Sequence, residues 1–527
     1  MGYFILKPSF KTFLKKSKFN YSKAKLYSEA YDLIVEYGLF DEDFYFKMYP
    51  NLKDTGIDPL THYLFYGYLE DKVPSLNFEG NMYNHKYNVD INPLVHYVIY
   101  GKDQGYMAFE SPILTHYNRI LETNKLFLNN YNFDEEPLVS IIILNRDGLS
   151  HLKRLFQDFN DKTNYNNYEI IVVDNASKDG SVEYLNTLKD DLALKIIENT
   201  GNMSFSQANN QAVESSNGEL VLLLNNDMEP TYGWLNEMVG TFLSQPSIGA
   251  VGAKLIYPFY FEDDDNFKSY LIQHAGDIFD ERIKPCCAYA YNRNKYENAY
   301  DVSVNSTKDV IAVTAAAVLT SKKIYNELDG LDEDYFYGFE DVDFMLKLNQ
   351  NNYRIVYCAT ALLFHHESST RIKNKEEYFK NNILNTKKLW EKQGEYITRE
   401  IYKDKLENKG FFTEKPFKFS FLIEDLNIGD EDYQLISDLA RNLNSQGYTV
   451  ELIRLEDKQI TSDDSDIILS FSENYPIEDL TYRRNAIKIL YSKNNIEKDN
   501  NYDIIINDEC DDLINSIFNN VEERIMD

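Results

Sequence analysis

Four short apolar runs in the middle of this 527-residue chain each end in a polar or acidic cluster. The run 139–144 closes on Asn145-Arg146, 169–173 on Asp174-Asn175-Ala176-Ser177, 194–198 on Asn199-Thr200-Gly201-Asn202, and 220–224 on Asn225-Asn226-Asp227. Further on, Glu340-Asp341 stands just ahead of Val342-Asp343-Phe-Met-Leu-Lys-Leu-Asn349, whose apolar spacing is helical. Both acids would then lie at a helix N-terminus, where the dipole stabilises a carboxylate. Ala361-Leu-Leu-Phe364 ends in His365-His366. Adjacent side chains on an extended segment point opposite ways, so at most one histidine faces any one site. Carboxylates and imidazoles of this kind transfer protons or bind cations.

The elements that must position these residues follow from their spacing. Val139-Ser-Ile-Ile-Ile-Leu144 and Glu169-Ile-Ile-Val-Val-Asp174 are short, β-branched and continuously apolar, as strands buried on both faces are. Helical stretches at 149–159 and 206–216 alternate with strands at 194–198 and 220–224. That alternation predicts a parallel α/β sheet with right-handed crossovers. Ligands of such sheets bind at the carboxyl ends of the strands, where the polar clusters sit.

With these pieces in order, the segment 137–371 resembles family 2 glycosyltransferases of the GT-A fold. The resemblance is carried by Val139-Ser-Ile-Ile-Ile-Leu-Asn-Arg146, Ile171-Val-Val-Asp-Asn-Ala-Ser-Lys-Asp-Gly-Ser181 and Glu198-Asn-Thr-Gly-Asn-Met-Ser-Phe-Ser-Gln-Ala-Asn-Asn210. It continues through Leu222-Leu-Leu-Asn-Asn-Asp227 and Gly330-Leu-Asp-Glu-Asp-Tyr-Phe-Tyr-Gly-Phe-Glu-Asp-Val-Asp343 to His365-His366. It implies a nucleoside-diphosphate sugar as donor, a Mg²⁺ or Mn²⁺ ion as counterion to the departing diphosphate, and a glycan or lipid-linked hydroxyl as acceptor. Asp174 would bind the base or ribose, with Asn145, Arg146, Asn175, Asn199, Gly201, Asn210, Asn225 and Asn226 around the donor. Asn225-Asn226-Asp227 stands where the family has its Asp-x-Asp metal motif, so only Asp227 keeps a carboxylate. The resemblance adds His365 as a second metal ligand; a structural histidine is the other reading. Glu340-Asp341 falls at the family's catalytic base. Asp341 would deprotonate the acceptor, with Tyr335, Phe336, Tyr337 and Phe339 as an acceptor-side wall; an ordinary acidic helix start is the other reading. One base and no covalent intermediate imply inversion.

Composition narrows the alternatives. A formal net charge of −31 argues against a nucleic-acid partner. A sugar nucleotidyltransferase would want a Gly-rich basic loop after the first strand, and Asn145-Arg-Asp-Gly148 is not one. Cys286, Cys287, Cys358 and Cys510 lack metal-type spacing and read as reduced thiols of a cytoplasmic protein. The run Glu262-Asp-Asp-Asp265 reads as a solvated loop, and Trp234 as core. His274 has no assignment from sequence. Seven lysines from Lys7 to Lys25 precede the first acid, Glu29, interleaved with Phe4, Phe10 and Phe13. Peripheral contact with the inner face of a membrane and a frayed, solvated terminus are the two readings. The start MGYFILKPSF does not read as a signal peptide.

A repeat lies before the catalytic segment: Asp58-Pro-Leu-Thr-His62-Tyr-Leu-Phe-Tyr-Gly67 returns as Asn92-Pro-Leu-Val-His96-Tyr-Val-Ile-Tyr-Gly101. Asp or Asn before Pro signals a helix start, and each Gly a helix stop. Tyr45 and Tyr49 precede the first copy as Tyr83 and Tyr87 precede the second. The two histidines read as local hydrogen-bonding groups packed on tyrosines rather than metal ligands, and the units as a surface for a protein partner or acceptor. After Pro416 a second α/β unit begins, faintly like one lobe of a GT-B enzyme, its first turn reduced to Asn427-Ile-Gly-Asp430. The expected organisation is α-helical repeats over 1–130, the GT-A (Rossmann-like) α/β catalytic domain over 137–371, a helical extension over 372–415, and a Rossmann-like α/β domain over 416–527. A catalytically silent scaffold or glycan-binding subunit is the alternative to an active enzyme.

Overall fold

The computed structural model describes residues 8–109, 112–189, 191–258, 260–261, 267–268, 271–280, 289–335, 338–366, 375–423, 431–454, 461–462, 465–471, 481–482, 486–494, 496, 499, 501–507 and 512–526. Phe336, Tyr337, the acidic run 262–265, Cys286, Cys287, Cys510 and the turn 427–430 lie outside them. Cys358 is a free, buried thiol. Among the described residues no helix is long and apolar enough to cross a membrane.

Seven helices come first: α1 (Phe10–Lys16), α2 (Tyr21–Glu36), α3 (Glu42–Met48), α4 (Pro59–Phe65), α5 (Gly80–Tyr87), α6 (Pro93–His96) and α7 (Pro112–Phe127). The Asp-Pro and Asn-Pro starts act as the sequence suggests. Asp58 accepts from the Thr61 amide at 2.7 Å, and Asn92 Oδ1 from the Leu94 amide at 2.9 Å and the Val95 amide at 3.2 Å. In each copy a tyrosine hydroxyl meets a histidine, Tyr45 with His62 Nδ1 and Tyr83 with His96 Nδ1, both at 2.9 Å. The helical segments end at or just before these glycines, but not through a left-handed turn. Neither Gly67 nor Gly101 takes a positive φ. A Cβ would lie 2.3 Å from the Tyr45 hydroxyl at Gly67 and 2.2 Å from the Tyr83 hydroxyl at Gly101. Each glycine makes room for the Tyr–His pair.

The central sheet is mixed. Its strands are β1 (Val139–Asn145), β2 (Tyr168–Asp174), β3 (Leu194–Glu198), β4 (Leu220–Asn225), β5 (Met228–Pro230) and β6 (Ile248–Ile256). A two-residue pair, β7 (Tyr260–Phe261) with β8 (Phe267–Lys268), stands apart from it, as does the hairpin of β10 (Asp277–Asp280) and β11 (Tyr289–Asn292). β9 (Ile272–His274), β12 (Lys308–Val310), β13 (Ala317–Ser321) and β14 (Arg354–His365) complete the sheet. Its order is β12-β14-β6-β13-β4-β1-β2-β3, with β5 on β14 and β9 on β6. The expected parallel pairing holds for β3-β2-β1-β4 and again for β6-β14, but β13 runs antiparallel between β4 and β6. Beside β1 the chain goes to β2 on one side and β4 on the other, so their carboxyl ends form a topological switch point.

The continuous apolar runs are explained by two cores, one on each face. Ile141, Ile143, Val172, Leu222 and Leu224 pack with α8 (Leu149–Leu155) and α12 (Trp234–Leu243). Ile142, Ile171, Val173, Val221 and Leu223 pack toward α11 (Phe205–Glu214) and α14 (Glu340–Gln350). The helix expected over 149–159 breaks at Asp158, at φ 53, and resumes as α9 (Phe159–Lys162). α10 (Ser181–Leu188) and α13 (Lys322–Glu327) fill the other connections. Trp234 is fully buried and donates to Thr163 Oγ1 at 3.1 Å.

A 33-residue helix, α15 (Lys375–Glu407), leads to a third unit. There β15 (Lys418–Ile423), β16 (Thr449–Arg454), β18 (Ile467–Ser470), β20 (Ile487–Ser492) and β21 (Ile504–Asn507) form a parallel sheet of order β16-β15-β18-β20-β21. A small pair, β17 (Thr461–Ser462) and β19 (Thr481–Tyr482), and helices α16 (Glu431–Ser445) and α17 (Leu513–Met526) accompany it. α15 belongs to both cores: Leu389, Ile397 and Ile401 pack with the central sheet, and Tyr402 with the third unit. Lys405 and Asp466, 1% and 2% exposed, pair at 2.7 Å across the junction.

Candidate active site

The carboxyl ends of β1, β2 and β4 meet in an amide network. Asn145 Nδ2 donates to Asp174 Oδ2 at 3.0 Å and to Ser177 Oγ at 3.2 Å, while Asn226 Nδ2 donates to Asn145 Oδ1 at 2.8 Å. Asp174 Oδ1 accepts from the Ser177 amide at 2.8 Å, across Ala176 at φ 62. Asp174 is thus buried, and it organises the turn as well as facing the rim. Asn199 Nδ2 donates to Asn175 Oδ1 at 3.0 Å and to Gln211 at 3.1 Å, which extends the network to α11. α11 is fixed by a capping box between Ser204 and Gln207. Gly148 explains its own identity, since a Cβ there would stand 2.4 Å from Asn226 Nδ2 and 2.5 Å from Asn145 Oδ1. Arg146 and Gly201 are exposed beside this network, and Asn225 is half-buried at the end of β4. Asn210 is engaged elsewhere. Its Nδ2 donates to Leu331 O and Glu333, and its Oδ1 accepts from Tyr325 and the Leu331 amide. It ties α11 to the loop after α13 and shares no hydrogen bond with the Asn145 network.

Asp227 follows β4, and β5 turns back antiparallel to β14 with Met228 opposite His365. This register brings His365 Nε2 to 3.2 Å from Asp227 Oδ1. Gln273 Oε1 lies 2.6 Å from His365 Nδ1, a contact that orients the ring with Nε2 toward the carboxylate. A carboxylate and an imidazole nitrogen this close fit a shared cation, and the Gln273 amide that orients the imidazole fits metal ligation. Among the described residues no group of three or more His, Cys, Asp or Glu side chains could hold a metal. A metal here would take other oxygens from its ligand. His366 points away, with Nε2 2.9 Å from Glu229 Oε2. Burial raises the Glu229 pKa, but the bond and charge of His366, the Tyr117 hydroxyl at 2.7 Å and Lys162 outweigh it, leaving the group at about 2.

At the other side, α14 delivers the two acids differently. Glu340 is buried; Asp341 is half-buried. Asp341 Oδ2 accepts from the Ala315 amide at 3.1 Å, and Oδ1 from the Val342 amide at 2.9 Å. Phe339, the N-cap, sits at φ 73 after Gly338 at φ 96. For a bulky L-residue that conformation costs about 1 kcal/mol. Tyr335 and Phe339 are core residues, 0% and 8% exposed, which corrects the expected acceptor-side wall: their rings pack inward with Phe344 and Val342.

A short run of contacts joins the Asp227–His365 pair to Asp341. Gln273, on His365, adjoins His274, whose Nε2 accepts from the Thr314 amide at 3.2 Å; the next amide, Ala315, donates to Asp341. Burial, partly offset by a bond to Asn292, pushes the His274 imidazole down to about 4. Burial, reinforced by the nearby Asp341 charge, holds the Asp277 carboxyl well above its usual range. His274 Nδ1 and Asp277 Oδ1 stand 3.7 Å apart, and burial favours the neutral form of each. Gln273, His274 and Asp277 were missed by sequence reasoning: they follow no long apolar run, and only the pairing of β9 with β6 brings them in.

A family model described as glycosyl transferase family 2 matches residues 139–299, so the chain carries a glycosyltransferase family 2 domain. The chain is 32% identical over 263 residues to an uncharacterized protein, y4gI, of Sinorhizobium fredii, covering 48% of this chain and 28% of that protein. It is 30% identical over 241 residues to the O-antigen biosynthesis protein RfbC of Myxococcus xanthus, covering 45% and 18%. The match to glycosyltransferase AglE of Haloferax volcanii is 29% over 127 residues, covering 23% and 41%. The chain thus spans less than half the length of each of these relatives. Similar solved structures include the mannosyltransferase PcManGT from Pyrobaculum calidifontis in complex with GDP-Man and Mn²⁺, at 18% identity, TM-score 0.33, covering 49% of this chain and 65% of that one. GalNAc-T7 with UDP, GalNAc and Mn²⁺ is similar at 14% identity, TM-score 0.38, covering 60% and 56%.

Proposed function

We propose that the segment 137–371 is an inverting, metal-dependent glycosyltransferase that moves a sugar from a nucleoside-diphosphate sugar to a hydroxyl of a glycan or lipid-linked acceptor. The observation that carries this reading is the convergence of His365 Nε2 on Asp227 Oδ1 at 3.2 Å, beside the strand ends that bear the Asn145–Asn226 network. Asp227 and His365 would hold a Mg²⁺ or Mn²⁺ ion, which when bound neutralises charge on the leaving diphosphate. Asn145, Asp174, Asn175, Asn199, Asn226, Arg146 and Gly201 line the donor side, where amides and a carboxylate suit ribose hydroxyls and base edges. Asp341, its charge held by two backbone amides, takes the proton of the acceptor hydroxyl as that oxygen attacks the anomeric carbon. Glu340, being buried, supports the helix start rather than the proton transfer.

The name of the Myxococcus relative accords with a role in cell-surface polysaccharide synthesis. Membrane contact would fall to the α1–α2 hairpin, where Phe19 is 77% exposed between Lys18 and Tyr21. Co-sedimentation with phosphatidylglycerol vesicles, lost in Phe19→Ser, tests that part. For the main reading, UDP and GDP are titrated with and without Mn²⁺, and a panel of UDP- and GDP-sugars is screened for diphosphate release. Mn²⁺-dependent binding that disappears in Asp227→Ala, with turnover of one donor, is the expected result. Mn²⁺-dependent binding without turnover of any donor would favour a silent glycan-binding subunit, for which Asn225 in place of a carboxylate speaks.

A further inference from the structure

The turn that aims Asp341 is held from outside the segment 139–299 that matches the family model. α14 starts at Glu340 with no side-chain cap, behind two successive left-handed residues, Gly338 and Phe339. A turn of that kind persists only where its surroundings over-determine it. The surroundings here are one face of α15. Asn385, 2% exposed, donates Nδ2 to the Gly338 carbonyl at 3.0 Å. Lys392 Nζ reaches Asp332 Oδ2 at 2.5 Å and Asp334 Oδ2 at 2.7 Å, and Lys388 Nζ donates to the Asp334 carbonyl. Next to Lys392, Gln393 donates to Asp343 Oδ1 at 2.9 Å, two residues beyond Asp341 on α14.

We propose that Asn385 and Lys392 of α15 are positioning residues for the transfer reaction, fixing residues 332–335 and 338–339 ahead of α14 and thereby the direction of Asp341. The inference rests on the reading of Asp341 as base. Apolar packing of α15 through Leu389, Ile397 and Ile401 already accounts for its attachment to the sheet. Asn385 and Lys392 are different, because their partners are the carbonyl and carboxylates of the turn itself. A hydrogen bond to the Gly338 carbonyl sets the orientation of the peptide that enters Phe339, and a displacement of 1 Å at a base is enough to lose two orders of magnitude in rate.

The test uses the full chain. Asn385→Asp keeps the shape, removes the donor and sets an acceptor against the carbonyl; Lys392→Met removes the clamp, and Lys392→Arg retains it. Hydrogen exchange needs no substrate. In both disruptive variants, amides of 313–317 and 338–343 exchange tenfold faster or more, while those of 139–145 and 220–227 stay within twofold. With the donor selected by the screen, kcat falls tenfold or more at a donor KM within twofold, and Lys392→Arg restores it. Unchanged exchange overturns the proposal, as does an increase spread evenly over the sheet, or kcat and KM changing together. Asp341→Asn is measured in parallel. If it turns over at the native rate, the base reading fails and the exchange result alone still judges the brace; if it is inactive while Asn385→Asp is native, only the brace fails.

Discussion

Replacing Asp341 by Asn separates chemistry from architecture. The carboxylate accepts two backbone amides, Ala315 at 3.1 Å and Val342 at 2.9 Å. Asparagine offers one oxygen, so one amide must face an NH₂ group. A donor left unsatisfied costs about 1–3 kcal/mol, and at a half-buried site reachable by water the lower end applies. Against a typical stability of about 5–15 kcal/mol, that leaves the protein folded. General base catalysis contributes about 10²–10⁴-fold, or roughly 3–5 kcal/mol of transition-state free energy. The two effects are distinguishable: a urea midpoint displaced by about 1 kcal/mol, Mn²⁺–nucleotide affinity unchanged, and diphosphate release with acceptor lowered at least a hundredfold. Native turnover in a folded Asp341→Asn protein would refute the assignment. So would a loss of nucleotide affinity that matches the loss of rate, since that would place Asp341 in donor binding.

Gly148→Ala puts a methyl group into the Asn145–Asn226 bond, so nucleotide affinity should weaken by about 1 kcal/mol, roughly fivefold, in a calorimetric titration. His274 stays neutral when folded, its pKa lowered from 6.5 to about 4 by burial, so the unfolded chain binds the extra proton between those values. The raised Asp277 carboxyl acts in the opposite sense, so the test is a difference: the stability of the protein relative to His274→Asn should hold above pH 6.5 and fall by about 3 kcal/mol as pH drops to 4. Lys405→Met leaves Asp466 buried without its ammonium partner and should destabilise the third unit by about 3 kcal/mol in urea, part of which Asp466→Asn recovers. Gly67→Ala and Gly101→Ala force apart the Tyr45–His62 and Tyr83–His96 pairs; each should cost about 1–3 kcal/mol by thermal melting, and Tyr45→Phe should make Gly67→Ala cheaper.

The sequence by itself determined what is local. Runs such as 139–144 and 169–174 became β1 and β2 within a residue at either end, because β-branched runs of that length bury both faces of a strand. Asp58 and Asn92 capped their helices as their Pro neighbours announced, since a cap needs only the next three residues. Asp227, His365 and Asp341 were named from residue type and order in a family resemblance. Tertiary structure alone decided what brings distant segments together. The antiparallel insertion of β13 between β4 and β6 has no signature in either strand, because pairing direction depends on the connection and not on side chains. Gly67, Gly101 and Gly148 looked like turn or loop glycines; a hydroxyl or an amide from another element at less than 2.6 Å of an imagined Cβ gives their reason. Tyr335 and Phe339 turned inward, into the core they share with Phe344 and Val342. Gln273 on His365, Ala315 on Asp341 and Asn385 on Gly338 are contacts across 92, 26 and 47 residues. Polar contacts at such separations carry no periodicity, so the chain lists the candidate groups while only the folded sheet and α15 hold them in register.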